Sequence, residues 1–86
     1  MPEISLFYGV RVMMYYNDHM SPHFHVEYGE YKALVDIDEI RVIRGQLPNK
    51  QMKIVLAWCV IHQEELVENW KLAKDNKPLK KINPLM

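Results

Sequence analysis

The sequence has few of the features that mark an extracellular or membrane-spanning protein. Its 86 residues include a single cysteine, Cys59, which excludes an internal disulfide and a four-cysteine zinc site. The longest uninterrupted apolar run, residues 54–61, is far shorter than the roughly 20 residues needed to cross a bilayer. The chain starts Met1-Pro2-Glu3, without the basic region of a signal peptide. We therefore expect a cytoplasmic protein that does not contact membranes.

The chain also lacks net charge, since 11 Lys and Arg residues balance 11 Asp and Glu residues. This balance argues against a dominant electrostatic attraction to nucleic acid, although a local basic patch remains compatible with it. Near-zero net charge also favours self-association or a protein partner. Apolar residues make up 49% of the chain, which is enough for one hydrophobic core. At this length we expect a single domain over residues 1–86.

Only three glycines and five prolines interrupt the chain, and they separate short segments with the composition of strands. Residues 10–16 are mostly β-branched, aromatic or Met, and residues 23–28 alternate between polar and apolar. Gly29-Glu30 fits a two-residue type II′ turn that leads into a return strand over residues 31–37. A weaker turn at Asp38-Glu39 precedes a strand over residues 40–44. The pattern predicts four antiparallel strands.

The two turns fix which residues lie opposite each other. On one face they give the apolar pairs Tyr28 with Tyr31, Val26 with Ala33, and Phe24 with both Val35 and Val42. On the other face they give Glu27 with Lys32, His25 with Leu34 and Ile43, and His23 with Asp36 and Arg41. The register therefore predicts a polar row, His23–Asp36–Arg41, near one end of the strands.

A helical pattern follows Gly45 and continues over residues 49–74, with a break possible near His62-Gln63. Residues 77–86 contain two prolines and read as an extended strap. The predicted fold is thus α+β: an antiparallel β-meander of about four strands followed by one long, possibly broken, C-terminal helix and an extended tail.

The first half of this helix is apolar on every side, including Ile54, Trp58 and Ile61. An all-round apolar helix must be covered on two sides, by the sheet and by something else. The first functional hypothesis is therefore an interaction protein that pairs with itself or with a small partner protein through Ile54, Trp58 and Ile61.

Three histidines in a turn and strand suggest a metal site as one alternative. His23 and His25 share one strand face with Cα atoms about 6.6 Å apart, a spacing that allows a shared metal. His19 lies four residues before His23 and could supply a third ligand. The set His19, His23 and His25 predicts binding of a divalent metal such as zinc.

Metal-independent RNA cleavage, or nucleic-acid binding by the His-rich strand, is the other alternative. His23 could act as the base, oriented by Asp36, with His19 as the acid and Arg41 as the cation for the phosphate. A hydroxyl from Tyr15 or Tyr16 could assist, whereas His25 is a poorer acid because apolar neighbours could bury it. The histidines could equally form a structural sheet edge tied to the turn by hydrogen bonds.

Several segments resemble the prokaryotic family called domain of unknown function 4160 (DUF4160). The segments that carry the resemblance are Tyr15-Tyr16-Asn17-Asp18-His19, Pro22-His23-Phe24-His25-Val26-Glu27-Tyr28-Gly29, His62-Gln63-Glu64-Glu65-Leu66, Asn69-Trp70 and Pro78-Leu79-Lys80-Lys81-Ile82. One departure is Ser21, where the family usually has a second proline before Pro22. The resemblance implies no established activity. It implies short stand-alone genes beside another small gene, an arrangement similar to toxin–antitoxin pairs.

Overall fold

The computed structural model describes residues 3–16 and 21–85, and it places the alternating segments in one antiparallel sheet. The sheet order is β1-β2-β3-β4-β5, so each strand pairs with its neighbour in sequence. The strands are β1 Glu3–Phe7, β2 Val10–Met13, β3 His23–Tyr28, β4 Tyr31–Asp36 and β5 Arg41–Gly45. Two helices follow, α1 Asn49–Ile61 and α2 Gln63–Lys74. The predicted α+β class and β-meander are confirmed.

The prediction of about four strands is wrong, because β1 adds a fifth strand before the others. Tyr8 and Gly9 both have positive φ angles, 50° and 78°, as in the type I′ turns that close two-residue hairpins. This turn folds β1 back onto β2. Tyrosine seldom adopts positive φ, so the sequence carried only half of the usual turn signal, at Gly9.

The prediction of one long helix is also corrected, because the helix breaks at His62, where a break was considered possible. No glycine or proline causes it. The Gln63 side chain donates a hydrogen bond to the Ile37 carbonyl at 2.9 Å, which ties the start of α2 to the loop after β4. His62 Nδ1 lies 2.6 Å from Glu65 Oε1 in the first turn of α2. Neither helix of the described residues is long and apolar enough to cross a membrane.

The predicted register between β3 and β4 is confirmed at all of its pairs, from His23–Asp36 to Tyr28–Tyr31. Between β4 and β5 it is confirmed only for Asp36–Arg41 and Val35–Val42. The connection is a loop over residues 37–40 in place of the two-residue turn. A β-bulge then places Arg44 opposite Leu34, so the predicted pairing of Leu34 with Ile43 is wrong.

One face of the sheet packs against the helices and forms the core. The Trp58 ring of α1 lies 5.2 Å from the Phe7 ring and 5.8 Å from the Phe24 ring, measured between ring centroids. The tail after α2, predicted as a strap, contains no helix or strand over residues 77–85. It is held by hydrogen bonds from the Ile82 amide to the Ile4 carbonyl and from Trp58 Nε1 to the Asn83 carbonyl, both 2.8 Å. The tail is therefore the second cover that the apolar helix requires.

Candidate functional site

The face of the sheet that does not carry the apolar rows carries three rows of mostly polar residues. We call it the open face, although Trp70 of α2 covers it at His23. Since side chains alternate along a strand, residues paired in register share a face. The rows are Arg11–Glu27–Lys32, Met13–His25–Leu34–Arg44 and His23–Asp36–Arg41. The open face therefore contains the predicted His-rich strand together with several cations.

The predicted catalytic row His23–Asp36–Arg41 is assembled in register, but His23 is almost completely enclosed. Its side chain is 1% exposed, and its ring centroid lies 5.1 Å from that of Trp70 in α2. His23 Nδ1 lies 2.8 Å from the Ser21 carbonyl oxygen. A carbonyl oxygen only accepts, so Nδ1 carries the proton and donates it to this bond. The surroundings of His23 favour a structural role that fixes the start of β3.

Asp36 is also enclosed, at 7% exposure, and both of its carboxylate oxygens accept hydrogen bonds. Oδ1 accepts from the Ser21 hydroxyl at 3.2 Å, and Oδ2 accepts from the Glu39 amide at 2.6 Å. The carboxylate thus holds the segment before β3 and the loop after β4. Arg41 is exposed beside it. His19, the predicted acid, lies outside the described residues.

The predicted metal site is only partly within the described residues, because His19 again lies outside them. The rings of His23 and His25 have centroids 5.4 Å apart and planes 54° apart. Within residues 3–16 and 21–85, no three His, Cys, Asp or Glu side chains are grouped so that they could hold a metal ion. Metal binding by His19, His23 and His25 stays a prediction.

The open face contains a groove of about 170 Å³, which we call the open-face groove. Its lining residues come from the segment after β2 and from three strands. They are Tyr15, His25, Val26, Glu27, Lys32, Ala33, Leu34, Arg44 and Gly45. His25 and Tyr15 belong to the residues singled out in the sequence, whereas neither the metal hypothesis nor the RNA-cleavage hypothesis includes Lys32 or Arg44.

Arg44 reaches this groove because β5 is bulged. The extra residue, Ile43, shifts the alternation, so Arg44 takes the place beside Leu34 and His25 that Ile43 was expected to fill. Next to it, Gly45 has a φ of +77°, and a Cβ added there would overlap the Lys32 carbonyl oxygen. Only glycine fits this close approach. A strand that ends in Arg-Gly was the one available signal for the irregularity.

The positive side chains of the open-face groove outnumber its negative ones. Arg11 Nε lies 3.1 Å from Glu3 Oε2, and Arg11 Nη1 lies 3.9 Å from Glu27 Oε1, so both carboxylates face the same guanidinium group. Among the described residues, Lys32 and Arg44 take part in no ion pair. The groove is therefore lined by two cations that pair with no carboxylate of the described residues.

Tyr15 and His25 form the aromatic part of the groove. Their ring centroids lie 4.1 Å apart and their planes meet at 68°, an edge-to-face contact. Both side chains are half-buried. Burial raises the pKa of the Tyr15 hydroxyl, the charge of Glu27 raises it further, and Arg11 partly offsets the change. Tyr15 is therefore neutral at physiological pH and can donate a hydrogen bond to an oxygen atom.

The residues predicted to bind a partner are separated by the fold. Trp58 is completely buried against the sheet, so it is not on an exposed surface. Ile54 is half-buried, whereas Ile61 is 64% exposed and its neighbour Val60 is 59% exposed. The exposed apolar surface at the end of α1 is therefore Val60 with Ile61.

Comparisons with known proteins identify one family. No curated protein and no solved structure matches the chain. The family model described as "Domain of unknown function (DUF4160)" matches residues 9–71. This span includes β2 to β5, α1, most of α2 and every residue that lines the open-face groove. The chain belongs to the DUF4160 family, whose description assigns no activity.

Proposed function

We propose that this protein binds nucleic acid, and that the open-face groove holds one of its phosphate groups. The observation that carries the proposal is the presence of Lys32 and Arg44, two cations without ion-pair partners among the described residues, in the same groove as Tyr15 and His25. This is the nucleic-acid alternative drawn from the sequence, with different residues in the leading roles.

The chemistry of these side chains fits a phosphodiester. An arginine guanidinium offers paired N–H donors that match phosphate oxygens, and a lysine ammonium adds a compact charge. The neutral Tyr15 hydroxyl can donate one more hydrogen bond. Among the described residues that line the groove, Glu27 is the one acidic side chain, and Arg11 faces it. The charge balance of the groove therefore favours an anion.

The geometry supports binding better than cleavage. RNA cleavage without metal requires a base and an acid that reach the substrate. His23, the predicted base, is buried against Trp70, and the Asp36 carboxylate is occupied by Ser21 and the Glu39 amide. Neither group faces an open surface, so we restrict the proposal to binding.

The test compares two arginines of the same strand. Arg44 lines the groove, whereas Arg41 is exposed outside its lining, so Arg44→Gln and Arg41→Gln remove the same charge at different places. We expect Arg44→Gln to weaken binding of a fluorescent single-stranded oligonucleotide about tenfold, as loss of one charged hydrogen bond of about 1.5 kcal/mol implies. Arg41→Gln is expected to change the affinity by less than about twofold.

Fluorescence anisotropy at low ionic strength measures both affinities. Equal losses in the two variants would mean that the groove is not the binding site. Absence of binding by the wild-type protein would reject nucleic acid as the ligand.

A second candidate function, association through Val60 and Ile61, is favoured by their exposure at the end of α1. It retains the hypothesis of an interaction protein that pairs with itself or with a small partner, as a toxin–antitoxin component would. Two adjacent apolar side chains make a small patch, which suits a weak or transient contact.

Light scattering at high micromolar concentration tests its self-association form. We expect Ile61→Lys to dissociate any dimer, whereas Tyr31→Lys, at an exposed residue of β4, should leave it intact. A wild-type protein that is monomeric throughout would reject self-association.

A further inference from the structure

We infer that the open-face groove selects single-stranded nucleic acid, by taking one unpaired base against Tyr15 while Lys32 and Arg44 hold the adjacent phosphate. This inference rests on the proposed function and adds the class of nucleic acid and the role of Tyr15.

The size of the groove limits what can enter. Pockets for complete small molecules usually measure about 300 to 1,000 Å³. The open-face groove measures about 170 Å³, which is small for a whole cofactor and is nearer the size of part of one nucleotide. The ligand in the groove is therefore one unit of a longer polymer, and the remaining units lie along the sheet.

The aromatic pair gives a reason for a base to be that unit. The rings of Tyr15 and His25 meet at 68°, and a single edge-to-face partner leaves at least one face of the Tyr15 ring uncovered by His25. Stacking of bases on aromatic side chains is the usual source of affinity for single strands. Bases within a duplex are already stacked on each other, and extruding one costs free energy.

The positions of the groups across the sheet match the parts of an extended strand. His25 is in β3, Lys32 is in β4 and Arg44 is in β5, and neighbouring strands lie about 4.8 Å apart. His25 is thus about two strand spacings, roughly 10 Å, from Arg44, and Tyr15 lies beside His25. One nucleic-acid strand can therefore place a base at Tyr15 and a phosphate between Lys32 and Arg44.

The experiment compares ligands that differ in one property each. The probes are a labelled single-stranded RNA, an abasic strand of equal length, the same RNA as a duplex, and a glutamate-rich peptide. We expect the single strand to bind at least tenfold tighter than the abasic strand, as the contribution of stacking one or more bases on an aromatic ring implies. The duplex and the peptide should both bind more weakly than the single strand.

Variants at Tyr15 assign the effect to the groove. Tyr15→Phe keeps the ring and should bind the single strand within about threefold of wild type. Tyr15→Ala should lose most of the preference for the base-bearing strand while binding the abasic strand unchanged. Tyr8→Ala, at an exposed tyrosine outside the groove, is the matched control and should bind as wild type. Circular dichroism and the thermal midpoint establish that each variant is folded.

The outcomes separate this inference from the proposed function. If the abasic and base-bearing strands bind equally and both depend on Arg44, stacking on Tyr15 is rejected and phosphate binding stands. If the duplex binds as tightly as the single strand, the selectivity is rejected. If only the peptide binds, the occupant is an acidic protein segment, and both the inference and the proposed function fail.

Discussion

Gly45 is the residue on which the shape of the open-face groove depends most directly. Its φ of +77° and its approach to the Lys32 carbonyl both exclude a side chain. Gly29 provides a matched comparison, since its φ is +57° but an added Cβ would meet nothing within 4 Å. Substitutions at the two glycines therefore separate the free-energy cost of backbone strain from that of steric overlap.

We predict that Gly45→Ala lowers the free energy of unfolding by about 3 kcal/mol or more, because strain and overlap add. Gly29→Ala should cost only about 1 kcal/mol, for strain alone. Urea unfolding monitored by tryptophan fluorescence measures both. Equal costs would show that the close approach at Gly45 relaxes without penalty.

Cys59 shows how burial changes the acidity of a side chain. It is completely buried, and burial, with a smaller contribution from the charge of Asp36, raises the pKa of the thiol from 9.0 to about 11. The thiol is therefore protonated at neutral pH. Its protonation argues against a role as a nucleophile.

We predict that thiol reagents at pH 8 modify Cys59 only after the protein is unfolded. The unfolded chain releases this proton at a lower pH than the folded protein does. The free energy of unfolding should therefore fall between pH 9 and about pH 11, by at most roughly 1.4 kcal/mol per pH unit from this group. Cys59→Ala should show a shallower fall over that interval. Rapid labelling of the folded protein would contradict the enclosed environment.

At the level of elements, the C-terminal tail is fixed to α2 by a buried asparagine. Asn69 is 1% exposed, donates to the Lys80 carbonyl at 2.8 Å and accepts from the Lys80 amide at 3.0 Å. Glu68, the preceding residue, contacts the same lysine through an ion pair between exposed side chains. Lys80 is thus held by Asn69 through buried hydrogen bonds and by Glu68 through an exposed ion pair.

We predict that Asn69→Ala destabilises the fold by about 2 kcal/mol, since two hydrogen bonds are lost and the Lys80 backbone groups lose their partner. Glu68→Ala should have a much smaller effect, because water and salt screen the exposed pair. Thermal unfolding of both variants tests this order. A larger loss in Glu68→Ala would mean that the tail is held mainly by charge.

The strand pairing shows where sequence reasoning succeeds and where it stops. The β3–β4 pairing could be predicted completely because a two-residue turn and an alternating apolar pattern both fix the same register. The position of Arg44 could not, since the bulge in β5 depends on backbone packing against Lys32 and not on a local pattern. β1 was missed because Tyr8 adopts a positive φ that tyrosine rarely shows. The open-face groove therefore lies on the face that carries the predicted site residues, but its lining includes Arg44 and not Arg41.

Burial was the second limit on the sequence reasoning. The apolar circumference of α1 correctly required two covers, but the second cover is the chain's own tail, which accepts a hydrogen bond from Trp58 at Asn83. Likewise, His23 was placed correctly beside Asp36, but only packing against Trp70 shows that it is enclosed. Neither fact follows from spacing along the sequence.

For the whole molecule, a net charge of zero means that no general attraction to nucleic acid assists the groove. Binding must then rest on local cations, of which Lys32 and Arg44 line the groove. The salt dependence of the affinity therefore reports how many phosphate contacts the protein makes.

We predict that the logarithm of the association constant falls with the logarithm of salt concentration with a slope of about −1.4, the value for two phosphate contacts to a single strand. Arg44→Gln should reduce the slope to about −0.7, and Arg41→Gln should leave it unchanged. Titrations at several salt concentrations measure the three slopes. A steep slope that is the same in all three proteins would show that other cations dominate binding.

The most direct test of the central claim is to map the binding surface by NMR, following backbone amides of the ¹⁵N-labelled protein as single-stranded RNA is added. We predict that the largest shifts occur at Tyr15, His25, Lys32 and Arg44 and their strand neighbours, while Val60 and Ile61 remain unchanged. Shifts confined to Val60, Ile61 and the adjacent helix ends, or no shifts at saturating RNA, would contradict the assignment of the open-face groove as a nucleic-acid site.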